Sequence, residues 1–436
     1  MNSPAYIKDR FERLQSQNGS NGIGSLRQNA FRAFDKMGIP TVKHEEWKYT
    51  RISHLFNKDF QLPSMPSTAS LTREELKEYR LPGHESANEL YFINGVYSAG
   101  LSNIRSAALE VISLEDASNG SFKEVVKQHL GHSSHYLKDG INALNTALIQ
   151  GAVFINIKRG SITEHPVYIY NITDARNGAI LSQPRSLVLV NENAHVQFVE
   201  TYITLGNTEN FTNQVMEIVV EQDAMLEFYK IQNDADNSSQ VSTTHIRQTG
   251  KSHVHTVTIS LGGGVVRNNL NIVMEASHCE SHMYGLYFTG GTTHVDNHTV
   301  VDNVKPHCFS NEFYKGILDG KSSGVFNGKI FVRQDAQKTN AYQSNKNVLL
   351  SDEASVNTKP QLEIFADDVK CSHGCTIGQL DEEGLFYLRS RGISEQTAKG
   401  LLLHSFAIDI LDHIRPDAIR TYVDELISER LQFDIS

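Results

Sequence analysis

A cysteine, a histidine and a second cysteine occupy alternate positions in Lys370-Cys371-Ser372-His373-Gly374-Cys375. In an extended chain alternate side chains share one face, whereas a helix would turn them roughly opposite ways. The spacing therefore places Cys371 and His373 together at a strand end. Cys375 keeps the same parity if the extension survives Gly374, where the backbone is free to bend. A thiolate and an imidazole on one face are ligands for zinc, iron or an iron–sulfur cluster. A closed metal site has four protein ligands, so this segment supplies part of one. The remainder would come from Cys279, Cys308, another histidine or a second chain. Against this stands the ordinary role of free cysteines as small core residues. A Cys371–His373 nucleophile pair fits poorly, because same-face neighbours on one strand stand about 7 Å apart, too far for a direct hydrogen bond.

Other chemistry-bearing patterns are weaker. His253, His255, His278, His282, His294, His298 and His307 crowd one region, and the pairs His253/His255 and His294/His298 could share strand faces. No carboxylate or cysteine accompanies them at a known metal spacing, so hydrogen-bonded strand histidines are the better reading. Gly320-Lys321-Ser322-Ser323-Gly324 matches the G-x-S-x-G nucleophile pattern, but the residues after it, Val325 to Val332, read as strand where that motif needs a helix. Gly316 to Ser322 imitates a phosphate loop with one residue too few between its glycines and no strand-to-helix frame.

The elements that must hold these residues change along the chain. Phe11, Leu14, Phe31, Phe34 and Met37 fall at helical spacing, closed by Gly38-Ile39-Pro40. Leu62 to Ser67 has the Pro and Ser content of a linker, and helices resume between Ser121 and Leu144 with a break near Gly131. From Gly151 the texture becomes short runs rich in Val, Ile, Tyr, Phe and Thr, such as Val153–Ile157, Leu187–Val190, His195–Val199 and Met216–Val220. No helical pattern separates them, which excludes βαβ units. Comparable strand starts near His195, Met225, His253 and His282 imply a repeat of about 28 to 30 residues with two strands each. A β-helix fits, and so does a β-sandwich. Beyond Ile377 helices return. Asp381 caps one whose first turn carries Glu382 and Glu383 and which Gly392 closes. Another runs from Ser394 to Ile414, burying Ala398, Leu401, Leu402, Phe406 and Ile410, and Pro416 stops it. A third, Ala418 to Leu431, buries Tyr422, Leu426 and Ile427.

At 436 residues the chain can form two or three domains and a sizeable core without disulfides. Four cysteines fit a reducing compartment. A net charge of −10, with no cluster of Lys and Arg, argues against a nucleic-acid partner. The first residues lack the apolar stretch of a signal peptide, and no run approaches the ~20 apolar residues that span a bilayer. The expectation is a cytoplasmic protein without a membrane segment.

Several motifs resemble the SufD branch of the SufB/SufD family, scaffold subunits of the SUF iron–sulfur cluster assembly system. They are Gly328-Lys329-Ile330, Ala336-Gln337-Lys338-Thr339, Gln343-Ser344-Asn345, Leu349-Leu350-Ser351, Lys359 to Ile364, Ala366 to Gly374 and Leu385 to Ile393, in the expected order. Gly38-Ile39-Pro40 and Glu45 to Thr50 add a weaker N-terminal match. The Cys-Ser-His-Gly form favours SufD over SufB, which carries a histidine–glutamate pair at this place.

The resemblance implies a mainly β protein: residues 1–145 an N-terminal helical domain with linker, 146–378 a right-handed parallel β-helix, and 379–436 a C-terminal helical domain. It implies a non-catalytic scaffold that pairs with a SufB-like β-helix and docks a SufC-like ATPase on its C-terminal helices. A transient iron–sulfur cluster would form at the SufB interface on His373, then Cys371, with Cys375 a distant third. No tightly bound cofactor is expected in the isolated chain, which could form a homodimer. Two readings from other classes are a β-helical polysaccharide hydrolase or lyase and a structural zinc protein built on the same three residues.

Overall fold

The computed structural model describes residues 4–17, 23–62 and 71–431. Helices Ala5–Gln17 and Gly24–Met37 open the chain, and Phe11 stacks on Phe31 with ring centroids 3.9 Å apart. The second helix closes where the sequence predicts: Gly38, at φ +66°, returns its N–H to the Phe34 carbonyl at 2.7 Å. Apart from Leu62, the expected linker lies outside the described residues. Helix resumes at Lys123–His129 and Gly140–Ala147, with the break at Gly131 in the left-handed conformation (φ +86°). The region before Gly151 is not purely helical. Strands Asn88–Ile93, Val96–Tyr97 and Leu109–Ser113 lie within it and join the two large sheets.

Those sheets form a parallel solenoid, which settles the choice between β-helix and sandwich. A ten-stranded sheet runs from Val96–Tyr97 to Lys370–Gly378, and an eleven-stranded sheet faces it, starting at Leu109–Ser113. Among the described strands all pairings are parallel except Asn88–Ile93 with Val96–Tyr97 and Leu109–Ser113 with Val153–Ile157. In the ten-stranded sheet successive rungs begin at His195, Met225, His253, Glu280, Phe309, Asn340 and Lys370, so each coil takes about 30 residues. One corner repeats with the rungs. Asn193, Asp223, His278, His307 and Lys338 all adopt left-handed backbone, with φ between +54° and +62°, two residues before a strand begins. Asn, Asp and His are the side chains that most tolerate this conformation.

The interior between the sheets changes character along the axis. Val196, Leu226 and Val254 stack in one column, facing Ile218, Ile246 and Ile272 from the other sheet. Burying each such side chain contributes about 1.5–3 kcal/mol. Further along, inward positions become polar. Phe198, Phe228, Thr256, Met283, Glu312, Gln343 and His373 form one continuous column in register.

At the carboxyl end, Asp381 caps Glu382–Ser390 by accepting from the N–H groups of Glu383 and Gly384 at 3.1 Å. Helix Glu395–Leu411 is capped by Ser394, and Asp417–Leu431 follows Pro416. These helices dock on the outer face of the ten-stranded sheet. Lys315 bonds Asp409 and the Phe406 carbonyl, Arg415 bonds Glu227, and Tyr284 stacks on His413 with centroids 3.4 Å apart. The buried face of Glu395–Leu411 is Ala398, Leu403, Ala407, Ile410 and Leu411, not the expected Leu401, Leu402 and Phe406. Similarly, Ile419, Val423, Ile427 and Leu431 are buried, while Tyr422 and Leu426 are half-buried.

Candidate functional site

Lys370–Gly378 is the last rung of the ten-stranded sheet. It pairs with Asn340–Leu349 along one edge, and no strand pairs its other edge among the described residues. Extension survives Gly374, so all three sequence-predicted residues keep one parity. Cys371 continues the column of Ser310 and Ala341, His373 that of Glu312 and Gln343, and Cys375 that of Tyr314 and Asn345. They thus lie on the inward face of a coil with no further coil stacked on it. Cys371 is half-buried against the apolar core, while His373 and Cys375 are exposed. Burial pushes the Cys371 thiol up, partly offset by the backbone of Ala341, so it rests protonated. Any ligation by this sulfur must displace a proton.

Below His373 the interior carries groups that sequence reasoning missed. Gln343 Nε2 donates to Glu312 Oε2 at 2.7 Å, and Gln343 Oε1 is buried without a partner. Burial pushes the Glu312 carboxyl up to about 7, despite hydrogen bonds from neighbouring side chains. Asn345 donates to Tyr287 Oη at 3.1 Å and to the Tyr314 carbonyl at 3.3 Å. The signal that finds Glu312 and Gln343 is the repeat itself, since each lies one rung before the next in the His373 column.

The other candidates lie elsewhere. Cys279 and Cys308 are buried in the core, and both thiols reach toward the Ala276 carbonyl. Cys308 immediately precedes the rung two before Cys371, about 10 Å along the stack. All four cysteines are free. The strand histidines hold hydrogen bonds of their own: His255 with the His413 carbonyl at 2.7 Å, His294 with Ser323 at 2.7 Å and Thr50 at 2.9 Å, His298 with Asp296 at 3.0 Å. Gly320, at φ +61°, makes a turn into strand Ser323–Val332, and Ser322 is buried with its hydroxyl on the Thr289 carbonyl. The serine motif is a corner of the solenoid. Among the described residues no group of three or more His, Cys, Asp or Glu side chains could hold a metal ion.

Large apolar side chains surround the last coil in the open. Phe365 is 57% exposed and Ile377 51%, and Tyr342 and Ile364 are exposed as well. A second exposed apolar group, led by Phe386 at 76%, lies on Glu382–Ser390, a helix with no buried residue.

The last strand of the parallel solenoid carries two thiols and an imidazole on one face, side chains of the kind that ligate transition metals. Comparison with known proteins defines the class. Residues 171–406 match the SufBD core domain of SUF-system FeS cluster assembly, and residues 6–169 match the SufBD N-terminal region. The chain belongs to the SufBD family, and its place is in iron–sulfur cluster assembly. Among its relatives, the assembly protein SufD of Escherichia coli is 30% identical over 91% of this chain and 90% of its own length. A SufBD family protein of Synechocystis is 32% identical over 93% of this chain and 90% of its own. The chloroplastic protein ABCI7 of Arabidopsis thaliana is 33% identical over 61% of this chain and 58% of its own. No helix among the described residues is long and apolar enough to cross a membrane.

Proposed function

We propose that this chain is a scaffold without catalytic turnover of its own, which builds nascent clusters with partners in the cytoplasm. Its last coil pairs with a SufB-like scaffold. Its C-terminal helices dock a SufC-like ATPase, and nucleotide-driven movement there is passed through the helices to open the scaffold interface. The observation that carries this reading is the half-paired strand Lys370–Gly378, which holds Cys371, His373 and Cys375 on one face. Three donors about 7 Å apart along an extended strand cannot close a four-ligand site alone, and a partner's surface would complete it.

In this reading His373 is the first ligand of the cluster under construction, because its imidazole is exposed on the open coil. Cys371 is second and Cys375 third. The Lys315–Asp409 and Arg415–Glu227 pairs give the C-terminal helices a firm seat from which to transmit force. The test is His373→Ala in a complex reconstituted with SufB-like and SufC-like partners. Cluster yield falls at least tenfold while assembly is intact; an unchanged yield would sink the assignment. Metal analysis of the isolated chain separates this from a structural zinc site, which would retain one zinc per chain.

A further inference from the structure

The N-terminal region roofs the outer face of the eleven-stranded sheet, but the two surfaces part over a cleft of about 1090 Å³. That volume is at the upper end of small-molecule sites. None of its walls comes from the last strand. The roof is formed by Met37 to Trp47 and His132 to Gly140, and the floor by outward side chains of three adjacent strands, including Asn271, Val273, Val300, Lys329 and Phe331.

The charges around this cleft are unevenly satisfied. Every acid that lines it is engaged: Glu45 with Lys359, Glu46 with Lys329 and His298, Asp139 with the Asn142 N–H and the Trp47 indole, and Glu275 through both its oxygens with Nε and Nη2 of Arg247. Arg267 and Arg333 are likewise held, by Asp296 and Asp302. Lys36, Lys138 and Lys305 have no ion-pair partner among the described residues. Their segments meet at one rim. Gly140 approaches Gly38 so closely that an added Cβ would stand 1.8 Å from the Gly38 carbonyl oxygen, and Tyr136 donates to Asp302 at 2.8 Å. Three uncompensated ammonium groups thus border a concavity in a chain of net charge −10. A concave wall of low dielectric concentrates such a field. In the floor, the Asn271 side-chain nitrogen is buried with no acceptor. An unmet buried donor costs about 1–3 kcal/mol, which a ligand's acceptor would recover.

We propose that this cleft binds a phosphorylated, ring-bearing organic anion of nucleotide size. Its charges lie at the rim with Lys36, Lys138 and Lys305. Its flat body covers Val273, Val300 and Phe331, and an acceptor on the ring meets Asn271. This site is independent of the cluster reading above.

Trp47, the sole tryptophan, lines the cleft and stacks on Arg267 at 3.9 Å, so its fluorescence reports occupancy. The purified full chain is titrated with adenosine diphosphate in the absence of divalent metal, with pyrophosphate and with adenosine, by fluorescence and calorimetry. The diphosphate saturates one site per chain, and each of the other two binds at least tenfold more weakly. Lys138→Glu with Lys305→Glu weakens the diphosphate at least tenfold and leaves the unfolding midpoint in place, since both side chains are exposed. Asn271→Leu weakens it as well, whereas His373→Ala does not. Absence of saturable binding by the diphosphate, binding indifferent to the two charge reversals, or adenosine binding as tightly as its diphosphate would each overturn the proposal.

Discussion

The two ends of the solenoid share one repeat and are finished in opposite ways. At the first end, strand Asn88–Ile93 is buried at every position and folds back on Val96–Tyr97. On the third and fourth strands of the facing sheet, counted from this end, Arg185 and Glu217 form a buried pair at 2.5 Å, and Glu217 also accepts the N–H groups of Gly131 and Ser133 at 2.8 and 2.7 Å. Burial alone would raise the Glu217 carboxyl, but Arg185 and the two N–H donors hold it below the usual range. At the last end, every residue of Lys370–Gly378 except Cys371 is exposed, and one edge of the strand is unpaired among the described residues. An open edge is a template for another chain, and proteins that do not need one cover it. The difference separates what holds this fold from what it offers.

The comparison breaks most readily at the sealed end. Glu217→Ala leaves Arg185 buried without a counter-charge and should cost about 3–5 kcal/mol by urea denaturation. A cost below about 1 kcal/mol would mean that apolar packing alone seals that end. Next in size is the interior between the ends. The Glu312 carboxyl is raised toward 7, so the unfolded chain releases this proton at lower pH than the folded one. Stability from this group is therefore full below about pH 4.5 and is lost as pH rises through 7. Glu312→Gln should raise stability at pH 8 by about 2–3 kcal/mol, leave it unchanged at pH 4, and flatten the profile between. An unchanged profile would show that Glu312 ionises as freely as in the unfolded chain.

At the open end the same measurements should move little. His373→Ala should leave the unfolding midpoint in place and remove cluster formation, the reverse of the Glu217→Ala pattern. Smallest of all for stability is Phe365→Asp with Ile377→Asp, two exposed sites where a shift beyond about 0.5 kcal/mol is not expected. Their effect should appear in size-exclusion chromatography, as lost pairing with a SufB-like partner. Retained pairing would move the interface away from this coil.

Much of this contrast was legible in the sequence, and the illegible parts have physical causes. The 28-to-30-residue spacing and the alternation of Cys371 and His373 pointed to a two-strand repeat and to the shared face. They left solenoid and sandwich level, because both are made of short strands and only long-range register distinguishes them. The polar interior was hidden by an inverted pattern. In Asn340–Leu349 the inward positions are Ala341, Gln343, Asn345 and Asn347, while Tyr342 and Val348 point outward, so hydrophobicity does not mark the inside. Helix Glu395–Leu411 misled for a related reason. It is apolar on most of its circumference, and contact with both the sheet and Asp417–Leu431 selects Leu403 and Ala407 over Leu401 and Phe406. The cleft beside Trp47 joins segments some 220 positions apart and has no local signature, as the Arg267 bond to the Glu46 carbonyl illustrates.

One sealed end and one open end also fix how far such a rod can grow. If two open coils meet edge to edge, each consumes the other's free hydrogen-bonding row, and only the first-end edges of each chain remain. Those edges, Val96–Tyr97 and Leu109–Ser113, are short and each is joined antiparallel to its neighbour, so they are poor templates for a third member and pairing through Lys370–Gly378 stops at two.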